Sequence, residues 1–255
     1  MTCGLIDFGH DIQANLTTYF NNVRSLLNSV SRVPKDLYFQ PLIMPVAGGP
    51  TSFALQFVWS APPCDEQSWW VDKLTGLVPG GKSSVAPVTP AEHTAQVSKM
   101  VDYKDLPGGE SRTVCTRGLA LSPQAAEVVA RYCALIPSEW GAVFIHMLHG
   151  QSVTTENEHP SSVFANRETS LMIEILGFAY QDESVKDAAM AWCKNMYGEM
   201  TNVDGVMDKR YFPLTQRAAY QAETTYGEEE LLFLRTLKTE LDPTYAFSSI
   251  DQLAQ

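Results

Sequence analysis

The stretch Leu37–Ser60, LYFQPLIMPVAGGPTSFALQFVWS, contains two apolar, aromatic-rich runs separated by a Gly-Gly-Pro turn. Runs of this composition on either side of a short turn are typical of an antiparallel hairpin. We therefore predict strands over residues 37–45 and 52–60. Adjacent strands joined by a tight turn favour antiparallel pairing, and together with helices elsewhere in the chain they indicate an α+β fold.

Helical patterns flank this hairpin on both sides. In residues 15–34, NLTTYFNNVRSLLNSVSRVP, apolar residues recur at i, i+3, i+4 and i+7, which predicts an amphipathic helix that ends before the proline. Helical spacing returns in residues 64–81 and again in residues 183–198. A further helix is expected after Ser122, because serine is a good N-cap and Pro123 suits the first helical position.

Three more apolar segments predict strands after residue 111. They are RTVCTRGLAL (112–121), AVFIHMLH (142–149) and SLMIEILGFAY (170–180). Residues 82–111 are rich in Pro, Gly and Ser, so we interpret them as a long loop or lid with a short helix. The count is about five strands and five helices.

No linker or internal repeat divides the chain, so we predict one domain over residues 1–255. The expected architecture is an antiparallel β-sheet flanked by helices. Residues 1–36 would supply an N-terminal helix, residues 37–200 the sheet and most helices, and residues 201–255 a C-terminal segment.

Composition excludes several classes of function. A formal net charge of −11 without a basic patch argues against a nucleic-acid partner. No apolar run approaches the roughly 20 residues of a membrane span. Five scattered cysteines without metal-ligand spacing suggest reduced thiols in a cytoplasmic protein. Nucleotide-binding glycine motifs, nucleophile elbows and zinc-helix motifs are absent from the sequence, so we predict neither a metal nor a cofactor.

Candidate chemistry comes from polar residues inside apolar strands. His146 alternates with apolar residues on one face of its strand, and His149 falls on the opposite face. Each of them is either a catalytic residue or a histidine with a purely structural role. A carboxylate in so apolar a strand as that of Glu174 must be paired, protonated or directed into a pocket. The alternative without a functional role is that Glu174 faces solvent or pairs with Arg167 or Arg117. Gln56 poses the same question.

The stretch Tyr226–Phe247, YGEEELLFLRTLKTELDPTYAF, resembles the C-terminal signature of the berberine-bridge-enzyme-like flavin oxidases. That signature has Tyr-Gly, a short helix with Leu and Lys, then Asp-Pro and a Phe. The segments FIHMLHG and FALQFVWSAPPCDEQSWWVDKL also resemble the family, as does a loop with Phe164 and Arg167. The resemblance covers about residues 37–250. The matching C-terminal residues are Tyr226, Gly227, Leu234, Leu237, Lys238, Asp242, Pro243 and Phe247.

This resemblance implies the substrate domain of an FAD-linked oxidase of the vanillyl-alcohol-oxidase superfamily. In the family an FAD-binding domain precedes this region, and we expect this chain to lack it. Two departures from the family's sequence pattern also indicate that this chain lacks the family's flavin chemistry. Gln221 follows Tyr220 where the family has an Asn close by, and the position of the catalytic Glu of plant members falls near Thr154.

The resemblance and the missing cofactor motifs lead to a functional hypothesis. We predict a flavin-independent cyclase or isomerase of natural-product biosynthesis, of the Diels–Alder type, acting on an apolar small molecule. Two alternatives stay open: the substrate half of a split FAD-dependent oxidase, and a non-catalytic small-molecule-binding protein. The predicted catalytic residues are His146, His149 and Glu174, and the predicted substrate-binding residues are Gln56, Tyr103 and Arg167.

The hypothesis carries two further expectations. Strand alternation cannot bring His146 and His149 into one pocket, so one of them should lie outside the site. By analogy with the family we expect a fungal secondary-metabolism setting. A sheet face and a terminal helix that no neighbouring domain covers would expose apolar surface, so we expect either a homodimer or a rearranged terminal helix.

Overall fold

The structure of the protein is a computed structural model. This structure describes residues 1–46, 49–100, 108–149, 168–179, 183–207, 226, 228–244 and 246, without the side chains of residues 96–100. Two predicted site residues, Tyr103 and Arg167, lie outside the described residues, as does Phe164. Their roles remain predictions.

The described residues form one nine-stranded sheet in which all strand pairings are antiparallel. Six of the strands are long, and three contain only two residues each. The strands are β1 (Thr2–Gly9), β2 (Leu37–Pro45), β3 (Thr51–Trp59), β4 (Lys82–Ser83), β5 (Ala86–Pro87), β6 (Gly108–Arg117), β7 (Ala142–Leu148), β8 (Ser170–Ala179) and β9 (Val206–Met207).

Six helices accompany the sheet in the same part of the chain. They are α1 (Ile12–Ser29), α2 (Asp65–Thr75), α3 (Pro90–Met100), α4 (Pro123–Cys133), α5 (Glu183–Met200) and α6 (Glu228–Leu241). The predicted α+β class, with an antiparallel sheet flanked by helices, is therefore confirmed. The hairpin that indicated it occupies β2 and β3, within one residue of its predicted bounds.

Two segments differ from the sequence prediction. Residues 1–36 contain strand β1 in addition to the expected helix. Gly4, the exposed Asp7 and the terminal Gly9 interrupt its apolar pattern, and pairing with β3 stabilises it. Residues 82–111 are not simply a loop with a short helix. They contain β4 and β5, which both pair with β1, the helix α3, and the start of β6, which pairs with β8. These strand pairings depend on residues far away in the chain.

Strand order shows how distant parts of the chain meet. Along the sheet the order is β4-β1-β3-β2-β7-β8-β6-β9, and β5 also pairs with β1. The junction between β2 and β7 joins the first and second halves of the sheet, with Leu42 opposite Phe144 and Ile43 opposite Val143. We call this junction the seam.

Alternation along the strands gives the sheet two different faces. One face carries the core and is fully buried, as shown by Phe57 in β3, Ile145 in β7 and Ile173 in β8. The other face, which we call the open face, carries the residues between them. Gln56 and His146 on this face are half-buried.

The core face is covered by α1, α4 and α5. Helix α4 begins as predicted: Ser122 Oγ accepts a hydrogen bond from Ala125 N at 3.1 Å, and Pro123 occupies the first turn. Helix α5 approaches β8 so closely that a Cβ at Gly177 would lie 2.3 Å from the carbonyl oxygen of Ala189. A glycine is therefore required at that crossing.

Helix α6 ends at Leu241, directly before Asp242-Pro243, as the sequence predicts. An ion pair between Lys238 and Asp242 holds its last turn. Leu231 is the buried residue of this helix, whereas Leu232, Phe233 and Leu241 are exposed on it.

Candidate functional site

Polar side chains occupy neighbouring positions on the open face where β3, β2, β7 and β8 run side by side. Gln40 of β2 lies directly opposite Gln56 of β3. Continuing the seam register two residues from the Leu42–Phe144 pair places Gln40 opposite His146. Glu174 of β8 is paired with Phe144 and thus lies diagonally from His146.

The centre of this arrangement is a histidine–carboxylate contact. His146 Nε2 lies 3.1 Å from Glu174 Oε2, and the two side chains are 22% and 9% exposed. A carboxylate this deeply buried needs a hydrogen-bonding partner. Of the alternatives considered for Glu174, the described residues show the paired one, with His146 rather than Arg117 as the partner.

Two residues of β2 complete the group. The Tyr38 hydroxyl lies 3.2 Å from His146 Nδ1 and donates to Gln40 Oε1 at 3.0 Å. Burial, and to a lesser degree the charge of Glu174, raises the pKa of the Tyr38 phenol well above its ordinary value, so that phenol keeps its proton. We call Tyr38, Gln40, His146 and Glu174 the quartet.

Sequence reasoning missed Tyr38 and Gln40, although a signal was present. Gln40 is an amide in an apolar strand, just as Gln56 is, and it lies two residues from Tyr38 on the same face. What the sequence does not contain is the register across the seam. That register, which is tertiary, brings these residues to His146.

His149 lies away from the quartet, beyond the end of β7. Its Nε2 is 3.3 Å from the carbonyl oxygen of Pro34. It lines a pocket of ≈ 890 Å³ with Leu27 of α1, with Val30 directly after that helix and with Asp36. Strand alternation correctly separated His146 from His149, so the two do not form one catalytic group, and only His146 contacts Glu174.

The predicted site residues are thus placed as follows. Gln56, His146 and Glu174 share the open face, with Gln56 one strand beyond Gln40. Half-buried apolar side chains, including Leu42 and Phe144, lie beside them on that face. The face therefore offers apolar surface with a few convergent polar groups, which is the usual composition of a site for a small organic molecule.

In the part of the chain that the structure describes, two kinds of structural feature are absent, a cluster of metal ligands and a membrane-spanning helix. That part contains no cluster of three or more His, Cys, Asp or Glu side chains placed to hold a metal ion. Nor does any described helix combine the length and the apolar character that crossing a bilayer requires.

The flavin that the family resemblance implies can be tested against the quartet. A flavin dinucleotide needs cations or a cluster of backbone N–H groups for its pyrophosphate. The quartet offers an imidazole, a phenol, an amide and a carboxylate, and the carboxylate would repel a pyrophosphate. This set of groups fits a carbonyl or a flat neutral ring and does not fit the phosphate part of the cofactor.

Comparison with solved structures identifies the fold. BBE-like 1 from Physcomitrella patens matches with a TM-score of 0.74 and 11% identity, covering 95% of this chain and 51% of that chain. A xylooligosaccharide oxidase from Myceliophthora thermophila, solved with xylobiose, matches with a TM-score of 0.70 and 18% identity, covering 95% and 53%.

A third match is GilR in complex with pregilvocarcin, an oxidoreductase that catalyses the terminal step of gilvocarcin biosynthesis. Its TM-score is 0.68 with 14% identity, and the match covers 95% of this chain and 54% of that chain. Neither a protein-family model nor a curated protein sequence matches the chain. The chain spans about half the length of the solved structures it matches, and at these identities the likeness concerns the fold.

Proposed function

We propose, on the basis of a fold shared with half of the berberine-bridge-enzyme-like oxidases, that the open face binds a small, largely apolar molecule and catalyses a redox-neutral cyclisation or isomerisation. The observation that carries the proposal is the quartet, in which a half-buried histidine pairs with a buried carboxylate and has a phenol on its second ring nitrogen. Such a group can donate, accept and hold a proton without a redox cofactor.

The specific reaction that we propose is a cycloaddition of the Diels–Alder type. Such a reaction transfers no atoms between substrate and protein, and it is accelerated when a hydrogen bond polarises a carbonyl on one reacting part. Nδ1–H of His146 would donate that bond, with the substrate carbonyl taking the place of the Tyr38 hydroxyl as acceptor. Glu174 would fix the ring through Nε2 and stabilise its positive charge.

The surrounding surface supports the binding step. Leu42 and Phe144 would contact the apolar body of the substrate and exclude water from it, while the Gln56 amide would bind a second polar group. Holding the two reacting ends in a near-attack shape supplies much of the acceleration for this class of reaction. Tyr103 and Arg167 remain predicted substrate contacts.

The wider setting is part of the same proposal. GilR catalyses the terminal step of gilvocarcin biosynthesis, and by analogy the proposal includes a setting in fungal secondary metabolism, in the cytoplasm. Exposed Leu232 and Phe233 on α6 support self-association as a homodimer.

The test combines a spectrum with a product analysis. The purified chain is incubated with linear polyenes that carry an unsaturated carbonyl, and products are separated by chromatography and weighed by mass spectrometry. We expect an isomer with the mass of the substrate, formed by the wild type and by a His149→Ala variant, and lost with His146→Phe. A product two hydrogens lighter, or the visible absorption of a flavin in the purified protein, would overturn the proposal.

A second candidate is favoured by the comparisons. The matched structures include oxidases, and the chain corresponds to about half of each. It could therefore serve as the substrate half of a flavin-linked oxidase whose flavin is held elsewhere. This candidate expects oxidised products when a flavin-binding partner is supplied. Tight binding of the polyenes without conversion would instead favour the binding-protein alternative.

A further inference from the structure

The quartet contains one phenolic proton and two groups that can accept it. The Tyr38 hydroxyl lies 3.0 Å from Gln40 Oε1 and 3.2 Å from His146 Nδ1. A phenol has a single O–H, so it can donate to only one of these atoms. If it donates to Gln40 Oε1, its oxygen can still accept from a protonated Nδ1. If it donates to Nδ1, it makes no bond to Oε1, because an amide oxygen carries no hydrogen. The choice between them determines whether Nδ1 of His146 carries a proton.

The position of the Gln40 amide removes one competing arrangement. Gln40 Nε2 lies 3.1 Å from Nδ1 and 3.3 Å from Nε2 of His146. A bond along the lone pair of Nδ1 would leave Nε2 much farther away, so these nearly equal distances place the amide nitrogen over the face of the ring. Gln40 therefore does not supply an in-plane donor to Nδ1, and the in-plane partner of Nδ1 is Tyr38.

We propose that Gln40 is a positioning residue that directs the Tyr38 proton away from His146 and thereby favours the doubly protonated, charged imidazole. With the phenol donating to Gln40 Oε1, Nδ1–H of His146 donates to the phenol oxygen and Nε2–H donates to Glu174. If His146 were neutral, the Glu174 carboxylate would keep the single ring proton on Nε2. The phenol would then have to donate to Nδ1, and Gln40 Oε1 would lose its hydrogen bond while remaining buried. That loss is unfavourable.

The charged groups around the ring are consistent with this state. Among the described residues, β8 supplies the Glu174 carboxylate, and β2 supplies Tyr38, whose phenol keeps its proton, together with the neutral Gln40. A charged donor forms stronger hydrogen bonds than a neutral one. The inference rests on the proposed role of His146 as a donor, and it explains how Nδ1 of His146 would be protonated before the substrate binds.

The experiment is a double-mutant cycle read by nitrogen-15 NMR of the histidine rings at neutral pH, with a His146→Asn spectrum for assignment. Gln40→Met keeps the shape and removes the acceptor, so the ratio of charged to neutral His146 should fall about tenfold. Gln56→Met makes the same change on the same face, one strand farther away. It should leave the ratio unchanged.

The sign of the Tyr38→Phe effect gives the sharpest outcome. In the wild type the phenol accepts from Nδ1–H, so its removal should lower the charged fraction. In the Gln40→Met background the phenol donates to Nδ1, so the same removal should raise it. An effect of the same sign in both backgrounds would overturn the inference, because a merely structural role cannot reverse it.

A further variant guards against a loss of packing. Gln40→Glu keeps an acceptor for the phenol and should keep His146 charged; a mostly neutral His146 in this variant would also overturn the inference. None of these readouts requires a substrate. A sign reversal without cyclase activity would therefore uphold the inference and reject the proposed function. Cyclase activity without a sign reversal would uphold the proposed function and reject the inference.

Discussion

His146 Nε2 lies 3.1 Å from Glu174 Oε2, so that a histidine of β7 accounts for the burial of a carboxylate on β8. The two residues are not directly opposite each other, because Phe144 is the register partner of Glu174. The contact is a diagonal one between adjacent strands, and it makes each side chain dependent on the other.

Removal of His146 should therefore destabilise the protein through Glu174. In His146→Leu the carboxylate stays buried without its partner, and we expect a loss of about 1–3 kcal/mol in the free energy of unfolding. The double variant His146→Leu/Glu174→Leu should recover part of this loss. Urea unfolding at neutral pH measures both; a single variant as stable as the wild type would contradict the dependence.

A second buried carboxylate ties α5 to β6. Glu110 is 3% exposed, accepts from Arg112 Nε at 2.6 Å and pairs with Lys194 at 3.1 Å. Glu110→Ala leaves the Arg112 guanidinium without its carboxylate partner, and we expect a loss of about 1–3 kcal/mol in the free energy of unfolding. The matched control is Glu183→Ala, whose exposed pair with Lys186 should be worth less than about 0.5 kcal/mol. Equal effects of the two substitutions on urea unfolding would count against this assignment.

Two glycines of the α5 region should respond in opposite directions to alanine. At Gly177 a Cβ would meet the Ala189 carbonyl and Cys193, so Gly177→Ala should cost about 1–3 kcal/mol. At Gly198, within α5, a Cβ would meet nothing within 4 Å, so Gly198→Ala should stabilise the protein by about 0.5–1 kcal/mol. Thermal unfolding of the two variants distinguishes crowding from a general effect of alanine.

Stability at alkaline pH should depend on Cys193. Burial, and next the charge of Glu110, raises the pKa of this thiol to about 12. The folded state therefore binds this proton more tightly than the unfolded state, in which the pKa of a thiol is about 8.5. The resulting stability is complete below that lower value and is lost as pH rises towards about 12, by at most about 1.4 kcal/mol per pH unit.

Cys193→Ser tests this dependence because a serine hydroxyl does not titrate in that range. Urea unfolding above the pKa of an unfolded thiol should show a shallower loss of stability with pH in the variant than in the wild type. The absolute stability of the variant does not enter the comparison. Identical pH slopes would show that folding does not raise the pKa of this thiol, as expected of a thiol that is not buried.

The exposed face of α6 makes the homodimer testable. Leu232 and Phe233 are 68% and 48% exposed. If a second copy covers them, Phe233→Glu should shift the mass measured by light scattering from that of a dimer to that of a monomer, whereas Leu135→Glu, at an exposed leucine after α4, should not. A wild-type monomer at high concentration would remove the dimer from the proposal.

Local pattern predicted the elements that are set by neighbouring residues. The β2–β3 hairpin, the Ser122 cap and the end of α6 before Asp242 all depend on a few adjacent positions, and all were found. Strand alternation also separated His146 from His149. These features need only the period of a strand or the chemistry of a cap or breaker.

Long-range pairing determined what the sequence did not predict. Strand β1 has two glycines and an exposed Asp7 and is stabilised by β3, from a segment over forty residues away. The two-residue strands β4 and β5 exist only because β1 is beside them. Tyr38 and Gln40 became site residues through the register of β2 on β7, and no local periodicity encodes that register.

The seam between β2 and β7 has a consequence for how the protein folds. Gln40 and His146 are separated by 106 residues in the chain, so their contact forms only after a long loop closes, and that closure is entropically costly and slow. The elements on either side can form earlier from local contacts. The environment of the His146 ring thus reports whether the two halves of the sheet have joined, and its NMR signal would follow completion of the fold rather than the appearance of secondary structure.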